Sequence, residues 1–302
     1  MAALTVHFST CSFSNPHPPS VRNPSYSYPS RARISCSAST PMSFTDFPYV
    51  SSPHKDLMVE LVSTVENRLD SILKPCSLPA DIQSYQNSTG TAHAALHLRS
   101  GVPSSQIDFI LGSWLHCELP TGGALNITSL SAYLNSSTDA PNLVVELIRS
   151  SPTSMVLVLD LPPRKDIVLN PDYLKKFYED TQLEQHRQHL MNLTEVTPYF
   201  SSSLYFRSVV SPTAILVKIE TETLDEMIET HFGPIAKEVL KVWLDVCVFG
   251  ENVVSESERD YLKNRDGMSK RKTIEIDLES NLPRLFGQET ANHVLEALRE
   301  VF

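Results

Sequence analysis

The sequence predicts an α+β fold in a single domain: a central antiparallel β-sheet flanked by helices, an α/β/α sandwich. Two observations predict it. Five short apolar or alternating segments follow one another between residues 92 and 161, and the turns between them are too short to hold crossover helices. Neighbouring strands should therefore pair antiparallel, as a meander. Helical patterns precede and follow this part of the chain, and no internal repeat is apparent.

The first predicted element is an amphipathic helix over residues 54–73. Ser52 and Pro53 supply an N-cap and a proline at the first helical position. Apolar residues then recur at helical spacing: Leu57, Leu61, Val62 and Val65. Residues 77–91 are polar, and we expect a loop there.

The meander is predicted to contain five strands separated by turn residues. They are Ala92–Arg99, Ile107–Leu119, Ala124–Leu134, Leu143–Arg149 and Met155–Leu161.

The remaining chain is predicted to alternate between helices and short strands. Asn170 and Pro171 begin a helix over 171–191, and a third helical region over 223–248 tolerates a bend at Gly233-Pro234. Residues 250–271 are polar, and we expect them to be partly mobile. The other predicted elements are the strands Leu204–Val210, Ala214–Ile219 and Thr273–Leu278 and a final helix from Gln288 to Val301.

The N-terminal composition is typical of an organellar transit peptide. Residues 1–36 contain three arginines, abundant Ser and Pro, no acid and no sustained apolar stretch. Ile34-Ser35-Cys36, followed by Ser37-Ala38, resembles a plastid-type processing site; a merely disordered tail is the alternative. We expect a chloroplast transit peptide over 1–36, a linker and irregular lead-in over 37–50, and the folded domain over 51–302.

Charge and composition exclude several classes of function. The formal net charge is −10, and removing the three arginines of residues 1–36 makes it −13, which argues against nucleic acid as the main partner. No segment is long and apolar enough to predict a membrane span. Cys76, Cys117 and Cys247 would remain, an odd number that predicts no disulfide framework and favours a reducing compartment. Glycine is scarce, and the glycine-rich nucleotide-binding motifs and the G-x-S-x-G elbow are missing from the sequence.

Two acids lie within predicted strands. Glu146 interrupts the apolar run Leu143–Ile148 and should share a face with Val144 and Ile148. A carboxylate in apolar surroundings is usually paired, protonated or functional. The alternatives are a buried pair with an arginine and an edge-strand Glu that faces solvent. Asp277 lies in Thr273–Leu278, where alternation would place Glu275 and Glu279 on its face, so that face should be partly open.

Other polar residues carry weaker signals. His93 and His97 are four residues apart without a metal-binding motif, and Asp160 at a strand end has the position of an ordinary turn or cap acid. The densest positive segment could dock an acidic partner or could be a solvated loop. It comprises Lys263, Arg265, Lys270, Arg271 and Lys272.

Several long segments carry a resemblance to a known family: LMVELVSTVENRL (57–69), IDFILGSWLHCELPTG (107–122), LNITSLSAYLNSSTDAPNLVVELI (125–148), DLPPRKDIVLNPDYLKKFY (160–178) and RKTIEIDLE (271–279). Through them the chain resembles the red chlorophyll catabolite reductase family of plant chloroplasts from Phe47 to Phe302. The resemblance implies the fold of the ferredoxin-dependent bilin reductases and makes 51–302 a reductase domain. It also implies a stromal oxidoreductase that reduces red chlorophyll catabolite, an open-chain tetrapyrrole, to the primary fluorescent catabolite. No bound flavin, metal or nicotinamide is implied. The implied partners are reduced ferredoxin as external electron donor, pheophorbide a oxygenase and a second copy of the chain in a homodimer.

The resemblance also assigns site residues. The family's two functional acids correspond to Glu146 and Asp277, which should both face the tetrapyrrole and supply protons. Some members carry Phe at the position of Val210, where pocket bulk should decide which product epimer forms. The competing hypotheses are a protein that sequesters tetrapyrroles without turnover and a non-catalytic scaffold for chlorophyll-degrading enzymes.

Overall fold

The computed structural model describes residues 43–120, 122–251 and 254–302. The predicted transit peptide and the first part of the predicted lead-in lie outside these residues. Within them, eight strands form one antiparallel sheet in the order β1-β2-β3-β4-β5-β6-β8-β7. The strands are β1 Ser84–Gln86, β2 Ala92–Ser100, β3 Ile107–Glu118, β4 Ala124–Leu134, β5 Leu143–Ser151, β6 Ser154–Asp160, β7 Val196–Pro198 and β8 Ile215–Glu220.

The five-strand meander is confirmed, with each strand within a few residues of its predicted bounds. Its register aligns a row of side chains across the middle of the sheet: Ser113 on β3 pairs with Ser129 on β4, which pairs with Glu146 on β5, which pairs with Val158 on β6. Since directly paired residues lie on one face of a sheet, these four side chains point to the same side.

Helices cover both faces of the sheet. They are α1 Ser52–Leu69, α2 Ala80–Gln83, α3 Pro171–Leu174, α4 Leu183–Met191, α5 Leu204–Val209, α6 Leu224–Met227, α7 Gly233–Val242, α8 Glu256–Thr273, α9 Glu279–Phe286 and α10 Gln288–Arg299. Four π-helical turns continue or link them: Lys175–Glu179, Ile228–Phe232, Trp243–Val248 and Ile274–Leu278. None of the helices in the described ranges combines the length and apolarity needed to cross a bilayer.

Each face of the sheet has its own apolar core. On one side, Leu61 of α1 and the bulky residues Phe232 and Trp243 pack against inward residues of the central strands such as Leu157. On the other side, Leu282 of α9 and Leu295 of α10 pack against residues that include Leu96, Phe109 and Val158. Apolar burial on both faces stabilises a three-layer sandwich, so the predicted fold class is confirmed.

The predicted strand Thr273–Leu278 is wrong. In the structure α8 ends at Thr273 and a π-helical turn, Ile274–Leu278, continues it into α9. Apolar and acidic residues alternate in Ile274-Glu275-Ile276-Asp277, which mimics a strand, yet the residues buried here are Ile274, Asp277 and Leu278, at the spacing of a helical face.

The mobile polar segment predicted over 250–271 is also wrong in its greater part. α8 begins with a capping box in which the Ser255 hydroxyl accepts from the backbone N–H of Glu258, and the Glu258 carboxylate accepts from the backbone N–H of Ser255. Farther along, the buried Asp266 carboxylate accepts from the Arg164 guanidinium at 2.5 Å. A helix this polar is therefore held by its cap and by buried ion pairs.

Smaller differences concern short elements. The predicted strand Leu204–Val210 is the helix α5, because the Ser203 hydroxyl caps it by accepting from the backbone N–H of Phe206. The predicted loop 77–91 contains α2 and β1, and the predicted helix over 171–191 is interrupted after Glu179. The bend allowed at Gly233-Pro234 is absorbed by the preceding π-helical turn.

Candidate active site

Glu146 lies at the centre of the sheet and is wholly buried. β5 pairs with β4 on one side and β6 on the other, so an edge-strand Glu that faces solvent is ruled out. The predicted face is confirmed, because Val144 and Ile148 belong to the same apolar core as its cross-strand partner Val158. The other partner, Ser129, is itself buried, and its hydroxyl forms a 2.7 Å hydrogen bond with the hydroxyl of Ser113.

Asp277 lies in the π-helical turn that follows α8, and only 4% of its surface is exposed. Its backbone carbonyl accepts a 2.7 Å hydrogen bond from the Asn281 side chain, which fixes the start of α9. The expectation that Glu275 and Glu279 share its face is wrong. Both are exposed and bind basic side chains at the surface, so Asp277 is the one of these three acids that faces inwards.

A cavity of about 70 Å³ lies between the sheet and the layer formed by α5, α8 and the following turn. Asp277 and Val210, two of the three predicted site residues, line it. Glu146 is not among the lining residues, but Val144 and Val158 are, and they adjoin Glu146 along its strand and across to β6. The structure therefore brings Asp277 and Val210 together at this cavity, whereas Glu146 lies next to two of its lining residues without lining it.

A second cavity, of about 30 Å³, lies on the same face of the sheet and is lined by Ser113 and Ser129 among mostly apolar residues. Because Glu146 pairs with Ser129 on one side and Val158 on the other, it stands between the two cavities.

Val210 follows α5 in extended conformation and is half-buried. Val209 and Phe206 line the cavity beside it. The element is a helix rather than the predicted strand, and Val210 itself lies in the wall of the cavity. A larger side chain there would reduce the space available to a ligand.

Tyrosine hydroxyls add hydrogen-bonding groups to this cavity. Burial, together with the nearby Asp277, raises the pKa of Tyr133 to about 12, against a hydrogen bond with Thr273 that lowers it. The phenol therefore stays protonated over the whole physiological range and remains a donor. Tyr205 of α5 lines the opposite wall.

Asp160 is the cavity residue that sequence reasoning missed. It was assigned to the ordinary acids of strand ends, but it is buried and lines the same cavity as Asp277. Burial raises its pKa to about 6, against hydrogen bonds from Ser211 that lower it. The sequence contained a signal for this. In Met155–Leu161, side-chain alternation places Asp160 on the same face as Val156 and Val158, and in the antiparallel meander that face is also the face of Glu146.

The basic segment does not form one surface patch. Lys270 is buried, where its ammonium group pairs with Asp108 and lies 5.1 Å from the centre of the Phe109 ring. Arg265 and Lys272 line the cavity. Lys263 and Arg271 are exposed.

The weak histidine signal has a local explanation. The His93 ring bonds the backbone carbonyl of Gly90 at 2.8 Å, and the His97 ring lies 3.4 Å from the Glu66 carboxylate. In the described part of the chain, no group of three or more His, Cys, Asp or Glu side chains is arranged to hold a metal ion.

Comparison with known proteins identifies relatives over nearly the whole domain. The family model described as "Red chlorophyll catabolite reductase (RCC reductase)" matches residues 53–300. Over 265 residues the chain is 56% identical to the chloroplastic red chlorophyll catabolite reductase of Arabidopsis thaliana, covering 86% of this chain and 83% of that protein. It is 40% identical over 260 residues to red chlorophyll catabolite reductase 1, chloroplastic, of Oryza sativa subsp. japonica, covering 84% and 79%. The barley (Hordeum vulgare) red chlorophyll catabolite reductase is 43% identical over 201 residues, covering 65% and 98%.

A solved structure with a similar fold is phytochromobilin synthase from tomato in complex with biliverdin. The TM-score is 0.63 at 17% sequence identity, and the match covers 82% of this chain and 85% of that one. This similarity confirms the fold.

Proposed function

Because the chain belongs to the red chlorophyll catabolite reductase family, we propose that it reduces red chlorophyll catabolite, an open-chain tetrapyrrole, to the primary fluorescent catabolite in chlorophyll breakdown. It is an oxidoreductase of the chloroplast, and its place there is the stroma. The observation that carries the proposal is a mostly apolar cavity that has Asp277 in its helical wall and Glu146 next to the residues of its sheet wall.

The reaction adds two electrons and two protons to one methine double bond. Two molecules of reduced ferredoxin each give one electron and are oxidised, and the carbon–carbon double bond becomes a single bond with one new hydrogen at each end. No cofactor is tightly bound. Since one-electron carriers deliver no hydrogen, both protons come from the protein.

Glu146 and Asp277 are the proposed proton donors. Burial in apolar surroundings disfavours the ionised form of a carboxyl group, so it holds a proton that it can release to a tetrapyrrole radical. Each donor becomes a carboxylate when its proton leaves and is neutral again after taking a proton from water. The cavities on either side of Glu146 support access of substrate to this residue.

Val210 controls the product stereochemistry by its size. The new stereocentre forms at the carbon of the bridge that receives a proton, and its configuration depends on which face of that bridge the proton reaches. A larger side chain in the cavity wall would change the orientation of the bound substrate and so the face that is protonated. The position of Val210 in the cavity wall, next to Val209, supports this role.

The exposed basic residues of α8 guide ferredoxin. Lys263 and Arg271 are accessible, and Arg265 and Lys272 lie at the cavity, so electrons would enter close to the substrate. On a chain with a net charge of −10, a local positive surface is needed to attract an acidic partner. Lys270 is buried by Asp108 and takes no part. Further partners are pheophorbide a oxygenase, which supplies the substrate, and a second copy of the chain in a homodimer.

The test is a turnover assay with purified protein and red chlorophyll catabolite. We expect the red absorbance to fall and blue fluorescence to rise only when reduced ferredoxin is present. Binding of the catabolite without any conversion under these conditions would overturn the proposal and favour a protein that sequesters tetrapyrroles. If the protein neither binds nor converts the catabolite, the hypothesis of a non-catalytic scaffold would remain.

A further inference from the structure

Asp160 is a buried acid that the reaction scheme above does not use. It is the last residue of β6 and pairs with Val144 of β5, so its side chain shares the face of Glu146. Residues diagonal to one another on neighbouring strands, as Glu146 and Asp160 are, lie roughly 7–8 Å apart between their backbones. Asp160 is 4% exposed and lines the cavity opposite Asp277.

The two carboxylate oxygens of Asp160 have different surroundings. Oδ2 accepts a 3.1 Å hydrogen bond from the backbone N–H of Ser211, which ties the strand end to the turn after Val210. The Ser211 hydroxyl and the backbone N–H of Leu161 also lie near the carboxyl group and lower its pKa. Oδ1 is buried and has no hydrogen-bond partner among the described residues. Most buried polar atoms of folded proteins are hydrogen-bonded, so an acceptor left open in the wall of a cavity points to a ligand that donates.

The charged and titratable groups around this cavity come from every element that forms it. They are Tyr133 on β4, Glu146 on β5, Tyr205 on α5, Arg265 and Lys272 on α8, and Asp277 in the turn after α8. Arg265 and Lys272 are half-buried, so they make this end of the cavity less negative.

We propose that Asp160 is a substrate-binding carboxylate, which accepts a hydrogen bond through Oδ1 from a pyrrole or lactam N–H of the bound open-chain tetrapyrrole. The identity of the ligand rests on the proposed function. Open-chain tetrapyrroles carry several N–H donors along one edge, and each loses its water partners when it enters an apolar cavity. Val144 and Val158 offer no acceptor, and Asp160 adds a carboxylate to the sheet wall beside them.

The pH dependence of binding follows from the state of this carboxyl group. Above its pKa of about 6, Asp160 is ionised and accepts hydrogen bonds only. Below it, a proton occupies one oxygen and competes with the ligand N–H. Because the N–H donor stabilises the ionised form, affinity is highest above pH 6 and falls as the pH is lowered.

The experiment measures binding by the absorbance of red chlorophyll catabolite, without ferredoxin, so that no turnover is needed. Wild-type affinity should fall between about pH 7 and about pH 5, and Asp160→Asn should bind about tenfold more weakly at pH 7.5 and lose this dependence. The Asn amide can keep the bond from Ser211 with its oxygen, which turns its NH₂ group towards the ligand donor. Asp180→Asn, the same change at an exposed acid paired with Lys175, should behave as the wild type.

Two outcomes would overturn the inference. One is that the affinity of the wild type stays constant from about pH 7 to about pH 5. This measurement does not depend on the folding of any variant. The other is a folded Asp160→Asn protein, with a cooperative thermal transition, that retains the affinity and pH dependence of the wild type. A wild-type protein that binds the catabolite with this pH dependence but never reduces it contradicts the proposed function and leaves the role of Asp160 standing.

Discussion

Glu146 and Val158 are direct cross-strand partners on β5 and β6. Val158 forms part of the cavity wall, whereas Glu146 is wholly buried beside it. The carboxyl group is thus shielded from water but adjacent to the space a ligand would fill. This arrangement suits an acid that must keep its proton until substrate arrives.

Val210→Phe should change the ratio of the two product epimers. The larger ring would fill part of the cavity next to Val209 and make one orientation of the substrate less favourable. Chromatography of the product distinguishes the epimers. Val168→Phe adds the same bulk at a residue that is 85% exposed and should leave the ratio unchanged. An identical ratio in the Val210 variant would exclude this role.

Arg271→Glu should weaken the use of ferredoxin. Arg271 is exposed on α8, and reversing its charge turns attraction of an acidic partner into repulsion. We expect the KM for ferredoxin to rise several-fold, with a smaller difference at high ionic strength because salt screens exposed charges. Arg284→Glu, a charge reversal on α9, is the matched control. Equal effects of the two variants would show that net charge alone matters.

Asp266→Ala should destabilise the protein strongly. The variant leaves the Arg164 guanidinium, which is wholly buried, without its carboxylate partner. Breaking a buried pair in this way costs about 3 kcal/mol or more. Urea unfolding followed by circular dichroism measures the loss. A change below about 0.5 kcal/mol, the size typical of surface substitutions, would show that the pair does not hold α8 in place.

Asp160→Asn should stabilise the protein at neutral pH. The folded-state pKa of about 6 lies above the ordinary value of 3.8, so ionising Asp160 opposes folding. The stability of the neutral form is fully present below about pH 4 and is lost as the pH rises through about 6. The variant should therefore exceed the wild type by up to about 3 kcal/mol at pH 7.5. The difference should shrink towards pH 4, as measured by urea unfolding at both values. An Asp160→Asn variant that is less stable than the wild type by the same amount at both pH values would contradict this account.

The meander could be predicted because its signals are local. Apolar runs bounded by turns define β2 to β6, and the short links between them leave antiparallel pairing as the simple solution. The same alternation placed Glu146 correctly on the face of Val144 and Ile148.

The surroundings of Asp277 could not be predicted by alternation. Apolar and acidic residues alternate in its segment, as in a strand, but the segment is helical in the structure. The reason is that α8 before it and α9 after it continue through the π-helical turn. The buried pairs Arg164–Asp266 and Lys270–Asp108 join residues about 100 and 160 positions apart. Such distant partners leave no local pattern, so a polar helix was mistaken for a mobile segment.

The central claim is that Glu146 and Asp277 supply the protons. Its most direct test is the rate of product formation with saturating reduced ferredoxin for Glu146→Gln and Asp277→Asn, two changes that keep side-chain size and remove the acid. We expect a loss of about a hundredfold or more in kcat for at least one of them, with catabolite affinity changed far less. Near-normal turnover in both variants would contradict the account.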